Sequence, residues 1–245
     1  MSKEASAQLA PNGVLRAAIN MSNFLLVSGR TPEGGPVGVA PDMARAVADR
    51  LGVGLELRPF PSPGELADAA LSNVWDIGLI GAEPQRAANI AFSPAYVEIE
   101  ATYMVPPGSK IGSIADVDAP GVRIASTGRA AYDLWLERNI RHATVSRGTS
   151  LDGAYEIFTR DKLDALAGLR PRLIGDQAKM PGARILDGQF MAVQQAIGTP
   201  RANAAGAAFL RAFVEEAKAS GLVASLIARH KIVGLTVAPA DPSAS

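Results

Sequence analysis

Two short signatures occur twice in this chain, in the same order. Gly13-Val14-Leu15-Arg16-Ala17-Ala18 and Gly121-Val122-Arg123-Ile124-Ala125 each open a unit with a strand-like run. Trp75-Asp76-Ile77-Gly78-Leu79 and Leu163-Asp164-Ala165-Leu166-Ala167 each close one. Between them, short apolar runs alternate with helical periodicity. This is the pattern of an α/β fold built on mostly parallel sheets. One larger doubly wound sheet would also fit the alternation. Two lobes fit better, because each unit is short and complete.

The elements follow from local chemistry. Val14 to Asn20 reads as a buried strand, followed by a Gly/Pro-rich loop from Ser28 to Gly38. Pro41 to Leu51 reads as a helix, with Met43, Val47 and Leu51 on one face and Gly52 as its stop. Val53 to Pro59 alternates as a strand, and Ser62-Pro63-Gly64-Glu65 has capping-box spacing. Asp76 to Gly81, Val122 to Ser126, Thr144 to Ser146, Asp164 to Gly168 and Gln194 to Gly198 read as strands. Ala130 to Ile140 and Leu151 to Thr159 read as helices. Arg201 to Ser220 is an alanine-rich helix with Phe209, Phe213 and Ala217 on one face. A second helix runs from Gly221 to about His230, and Asp241 to Ser245 is expected to be disordered.

Composition narrows the function. Lys+Arg and Asp+Glu both number 24, so the formal net charge is zero. That gives no electrostatic case for nucleic acid or an anionic membrane as partner. With no cysteine, disulfides, thiolate metal sites and cysteine nucleophiles are excluded. The two histidines, His142 and His230, are too few for a His-rich metal site and read as surface residues. No cofactor or metal is expected. The apolar fraction of 48% suffices for two modest cores. No apolar run reaches the roughly 18 residues of a membrane span. The stretch Met1 to Ala10 is polar and lacks an apolar h-region, so it does not read as a signal peptide.

Five segments in order then resemble the family 3 extracellular solute-binding proteins, the polar amino-acid and opine binders of ABC importers. They are Gly13-Val14-Leu15-Arg16 to Phe24, Gly38-Val39-Ala40-Pro41-Asp42-Met43-Ala44, Trp75-Asp76-Ile77-Gly78, Pro84-Gln85-Arg86 with Phe92-Ser93-Pro94-Ala95-Tyr96, and Ala219-Ser220-Gly221-Leu222. The resemblance spans about residues 12 to 232. It implies a type II periplasmic-binding-protein-like fold: two α/β lobes, 1–97 plus 195–245 and 98–194, joined by crossings near Val97 to Ala101 and Ala192 to Gln195. It implies hinge closure on a small-molecule ligand, a membrane permease as partner, a monomer, and a periplasmic location.

Ligands of open α/β sheets bind beyond the carboxyl ends of the strands. Four loops qualify, and the resemblance puts two on each side of a cleft. The first supplies Asn20, Asn23 and Phe24. The second supplies Gly81, Ala82, Glu83 and Arg86. The third, Ser126-Thr127-Gly128-Arg129-Ala130, precedes a helix, so its backbone N–H groups suit an anion. The fourth is Leu169-Arg170. Arg86 stands at the family position that takes a ligand carboxylate, which a guanidinium grips bidentately. A structural Arg86 paired with Glu83 is the alternative. Three departures stand out: the loop before Arg86 is about two residues short, it carries Gly81 and Ala82 in place of Ser/Thr, and Leu169 replaces the family's ammonium-binding Asp. The cleft is therefore expected to take an anionic or unusual amino-acid-like ligand, unless Glu83 supplies the missing charge. Tyr96, Tyr132 and Trp135 read as packing residues.

Two rivals remain. Cyclohexadienyl dehydratase shares this fold, but its acid is unmatched in Leu169-Arg170-Pro171-Arg172, so the chain is not expected to be an enzyme. A cytosolic sensor or carrier with the same clamp would account for the missing export signal.

Overall fold

A computed structural model describes residues 3–242. The chain runs through helix α1 (Lys3–Leu9), strand β1 (Val14–Asn20), a ribbon of β2 (Gly29–Arg30) and β3 (Pro36–Val37), helix α2 (Val39–Leu51), β4 (Gly54–Phe60), α3 (Pro63–Asp68), β5 (Ile77–Gly81), β6 (Ile90–Phe92) and β7 (Val97–Val105). There follow β8 (Arg123–Thr127), α4 (Ala131–Asn139), β9 (Thr144–Gly148), α5 (Leu151–Arg160), β10 (Ala165–Leu169), α6 (Arg170–Gln177) and β11 (Arg184–Ile185). It ends with β12 (Met191–Pro200), α7 (Ala204–Ala219), α8 (Leu222–Arg229) and β13 (Thr236–Val237). The fold is mixed α/β, and the chain divides into two compact units, Met1–Glu98 with Gln194–Ser245 and Ile99–Val193.

The first unit centres on the order β4-β1-β5-β12. The first three strands are parallel and β12 is antiparallel to β5. Its sheet is covered on both sides, which is why β1 and β5 are almost wholly apolar. Leu15, Ile19 and Leu79 pack with Met43 and Val47 of α2 and Leu210 of α7. Ala18 and Ile80 face the opposite way, onto Leu66 and Trp75. In the second unit β10, β8 and β9 are parallel and β7 is antiparallel to β10. Its core joins Phe158 of α5 to Met104, Leu166 and Leu173.

Local signals placed most elements, with instructive exceptions. The Ser62 hydroxyl accepts the Glu65 N–H at 3.2 Å and starts α3 as its spacing predicts. Gly52 ends α2 in the left-handed region, φ 67°. Helix α2 begins two residues before Pro41, because Gly38 takes φ 152° and lets the chain turn into it. A Cβ on Gly38 would also meet the Leu26 carbonyl oxygen at 2.3 Å. The polar stretch 3–9 is a helix, which the sequence reading missed. Leu9 is fully buried against Gly206 of α7, and Gln8 Oε1 accepts the Gly206 N–H at 2.9 Å. His230 is not a free surface residue: its Nε2 lies 2.8 Å from Asp42 Oδ2, with only 12% of the side chain exposed. Asp241 is tied to Arg211 at 2.6 Å, against the expected disorder of the tail. Residues 243–245 of that tail lie outside the described residues.

The duplicated signatures have a shared physical basis. In the first unit the Asp76 carboxylate accepts the Arg16 main-chain N–H at 2.8 Å and its Nε at 3.0 Å. Asp76 returns its own N–H to the Arg16 carbonyl at 2.9 Å. In the second unit Asp164 accepts the Arg123 N–H at 2.8 Å and Nε at 3.1 Å, and its N–H reaches the Arg123 carbonyl at 2.9 Å. Each Arg also caps the turn before its Asp, through Asn73 O in one unit and Asp161 O in the other. Both turns contain a left-handed residue, Asn73 at φ 51° and Lys162 at φ 49°.

Burial separates the two braces. The Asp76 side chain is 5% exposed, that of Asp164 37%. Asp76→Ala strands a half-buried guanidinium and is expected to cost about 3 kcal/mol. Asp164→Ala is expected to cost about 1 kcal/mol or less. Urea unfolding of the two variants measures the difference, and equal losses would contradict this ranking.

Candidate functional site

The two ligand-type loops of the first unit are neighbours because β1 and β5 are adjacent and parallel, with Ile19 opposite Leu79. Asn20 ends β1, and its Oδ1 accepts from Ser22 N at 3.2 Å and Ser22 Oγ at 2.8 Å. Asn23 Oδ1 accepts the Leu25 N–H at 3.2 Å. The oxygens thus shape the loop, and the Nδ2 groups have no acceptor among the described residues. Asn20 and Asn23 are buried, whereas Phe24 is 38% exposed and is not part of the core.

After β5 the chain forms a tight turn. Glu83 O accepts the N–H groups of Arg86 and Ala87, at 2.9 and 3.0 Å, and this folds the Arg86 side chain back over the strand end. Arg86 Nη1 donates to Gly81 O at 2.7 Å, and Ala82 N donates to Gln194 O at 2.7 Å. Arg86 is only 6% exposed and Glu83 only 4%. A buried cation and a buried carboxylate thus lie three residues apart at the carboxyl end of this sheet. Each carries further interactions. Ionised groups are kept at such burial only where fixed dipoles or opposite charges hold them.

Sequence reading missed Gln195, which sits opposite Gly81 on β12. Its Oε1 is buried with no hydrogen-bond partner among the described residues. The available signal was a glutamine inside an otherwise apolar strand.

The third loop lies in the second unit and corrects one expectation. The Gly128 N–H is bonded to Gly148 O at 2.9 Å, Arg129 N–H to Asp133 Oδ2 at 2.9 Å, and Ala130 N–H to Thr127 O at 3.2 Å. These three donors are used within the unit and are not open to an anion. The first-turn amides of α4, at Ala131 and Tyr132, are the ones with no acceptor among the described residues. They carry the positive end of that helix. Arg129 takes φ 63°, a left-handed conformation that only a held residue adopts. Asp133 does the holding, and Arg147 Nε lies 3.0 Å from both of its oxygens. Asp133 was also missed, although an acid in the first turn of a helix is a legible capping signal.

Ser126 is fully buried, and its hydroxyl has no partner among the described residues. Thr127 bonds to the Tyr132 hydroxyl, whose pKa burial pushes up to about 12 despite that bond. Tyr132 therefore stays protonated and can donate at any physiological pH. Tyr132 packs in the interior as expected, and Trp135 lies against Phe190 at 5.0 Å.

Arg170 is not in a loop; it is the first residue of α6. Its Nε donates to Glu100 at 2.6 Å, and Nη2 donates to the carbonyls of Leu186 and Gly188. The guanidinium thus braces β7 and the 186–188 turn. Leu169, the residue in the family's acid position, is buried.

The model of the bacterial extracellular solute-binding proteins, family 3, matches residues 19–231. The chain belongs to this family. The arginine-binding protein of T. maritima, as its P235GK mutant, has a similar structure: TM-score 0.73, 21% identity, 93% of this chain and 99% of that one covered. A putative ABC-transporter binding component from Wolinella succinogenes, complexed with lysine, superposes with TM-score 0.73 at 19% identity over 89% and 95% of the two chains. An amino acid ABC transporter substrate-binding protein from Streptococcus pneumoniae, bound to L-arginine, gives TM-score 0.73 at 20% identity over 97% and 100%. No curated protein sequence matches the chain. These structures share the type II periplasmic-binding-protein fold. Among the described residues no helix is long and apolar enough to cross a membrane, and no cluster of His, Asp and Glu could hold a metal ion.

The Ser126 hydroxyl gives a test in two readouts. Removing a buried hydroxyl without a partner does not weaken a fold and can strengthen it by about 1 kcal/mol. Ser126→Ala is therefore expected to melt at the same temperature as the parent or a few degrees higher. If the hydroxyl serves a ligand, the same variant binds about five- to tenfold more weakly, as isothermal titration would show. A clear fall in melting temperature would mean that the hydroxyl supports the fold.

Proposed function

We propose that the chain is the solute-binding component of an amino-acid-type ABC importer, closing two lobes on one small carboxylate-bearing ligand. The observation that carries the reading is Arg86, a nearly buried guanidinium at the carboxyl end of a parallel sheet. Strand ends are where such sheets take ligands, and a desolvated guanidinium binds a carboxylate through two parallel hydrogen bonds. The first-turn amides of α4 are a second set of donors for the same kind of group. Asn20 and Asn23 add amide donors, and Glu83, already engaged in other interactions, is the carboxylate of this loop that would meet an ammonium group. Arginine- and lysine-bound neighbours favour an amino acid over a simple organic anion. Arg129 and Arg170 are the weaker members of the set, since Arg170 already spends two of its nitrogens on Glu100 and carbonyl oxygens. The family's extracellular description supports work outside the cytoplasmic membrane, in partnership with a permease.

A thermal-shift screen over basic, acidic and neutral amino acids, opines and dicarboxylates is expected to return at least one stabilising ligand. A ligand at 100 times its Kd adds about 2.7 kcal/mol, which is several degrees for a chain of this size. Arg86→Ala is expected to abolish that shift and Arg86→Lys to restore only part of it, because a lysine offers no planar fork. Both variants must first show the parent's circular dichroism. Unchanged binding by a folded Arg86→Ala would overturn the carboxylate anchor.

A further inference from the structure

The chain does not end with helix α8. Lys231, at φ 54°, and Gly234, at φ 94°, turn it back, and residues 235–241 run across the first unit as a strap. Strand β13 pairs antiparallel with β7, Thr236 opposite Glu98 and Val237 opposite Val97. The Ala238 N–H continues this ladder to Tyr96 O at 3.2 Å. Val237, Leu235 and Ile232 pack on the first unit's core.

The strap's far end is fastened to α7 three times. Lys218 Nζ donates to Pro239 O at 2.7 Å, with the lysine side chain only 6% exposed. The Asp241 N–H donates to Glu215 Oε2 at 3.3 Å, and Asp241 pairs with Arg211 at 2.6 Å. The buried Lys218 ammonium is also paired with Glu215 Oε1 at 2.7 Å, so the strap carbonyl completes the partners of a charge already held on α7.

The strap's landing point matters. Glu98 is the last residue of the first unit before the chain crosses into the second, and Gln194 is the first after it returns. Gln194 Nε2 donates to Glu98 Oε1 at 2.9 Å. The strap therefore holds the backbone of one crossing segment at the residue whose side chain holds the other. We propose that this C-terminal strap is a hinge brace: it keeps both crossing segments in extended strand conformation and so sets how freely the two units move. The proposal builds on the clamp reading, since a hinge matters only if the units move.

Hydrogen exchange without ligand tests it apart from that reading. The probes are a chain ended after Gly234 and a full-length Lys218→Met/Asp241→Ala variant, which keeps the lysine stem but removes two anchors. Both are expected to exchange about tenfold or more faster at the amides of 97–101 and 193–196, with the α2 and α5 cores unchanged. If the shortened chain does not fold, the double variant carries the test alone. Faster exchange confined to 235–242 and α7, or a uniform rise throughout the chain, would overturn the brace. Failure to find any ligand would undo the clamp reading and leave the exchange result intact. Where L-arginine or another screened ligand binds, the released variants are expected to hold it several-fold more weakly, because an unbraced hinge loses more freedom on closing.

Discussion

The Arg–Asp brace at the amino ends of the strands is the interaction on which the rest is arranged. One carboxylate accepts both a main-chain N–H and a guanidinium from the neighbouring strand, and the same Asp returns its own N–H. This fixes the register of two parallel strands at one end of the sheet. Register matters because a slip of one residue would exchange the side chains facing the two covered sides of the sheet and misfit both cores. With the amino ends locked, the carboxyl ends of β1 and β5 come out level, and the Asn20 and Arg86 loops emerge side by side. The second unit repeats the device with Arg123 and Asp164 in a more exposed setting. The braced sheet ends thus carry register and stability, and the opposite ends carry the loops of the proposed site.

Under the proposed function, the candidate loops of the two units offer different chemistry. The first unit offers charged side chains, Arg86 and Glu83, held at burial that neither would tolerate alone. The second offers a helix start, the Ala131 and Tyr132 amides, with the flanking loop stiffened by Asp133, Arg147 and a left-handed Arg129. Preorganisation of this kind lowers the ordering cost that a ligand must offset on binding.

Much of the fold was legible because period and punctuation agree with packing. Val14 to Asn20 was read to the residue, and Gly52 and Ser62 end and start their helices as their chemistry demands. What escaped was decided by distant partners. Polar residues 3–9 become a helix because Leu9 finds a notch over Gly206. His230 looks like a surface residue until the fold brings Asp42 to it. At the candidate site, the sequence reading misjudged which atoms remain open. The backbone donors of Gly128 to Ala130 are consumed by Gly148, Asp133 and Thr127, partners from neighbouring turns and strands. Arg170 was assigned to a loop, although Pro171 beside it is a helix-start signal of the kind used for Pro41.

Helix α7 receives both ends of the described chain. Gln8 caps its first turn through Gly206, and Asp241 pairs with Arg211 along the same helix. The second unit is a sequence insertion into the first, whose residues Gln8 and Asp241 both bond to this one helix. A short linker could join those ends into a closed ring, and new termini could be cut into exposed turns elsewhere. Chains with neighbouring ends tolerate such circular permutation well. The order in which the two units leave the ribosome is thus a feature of this gene's arrangement, separable from the structure it encodes.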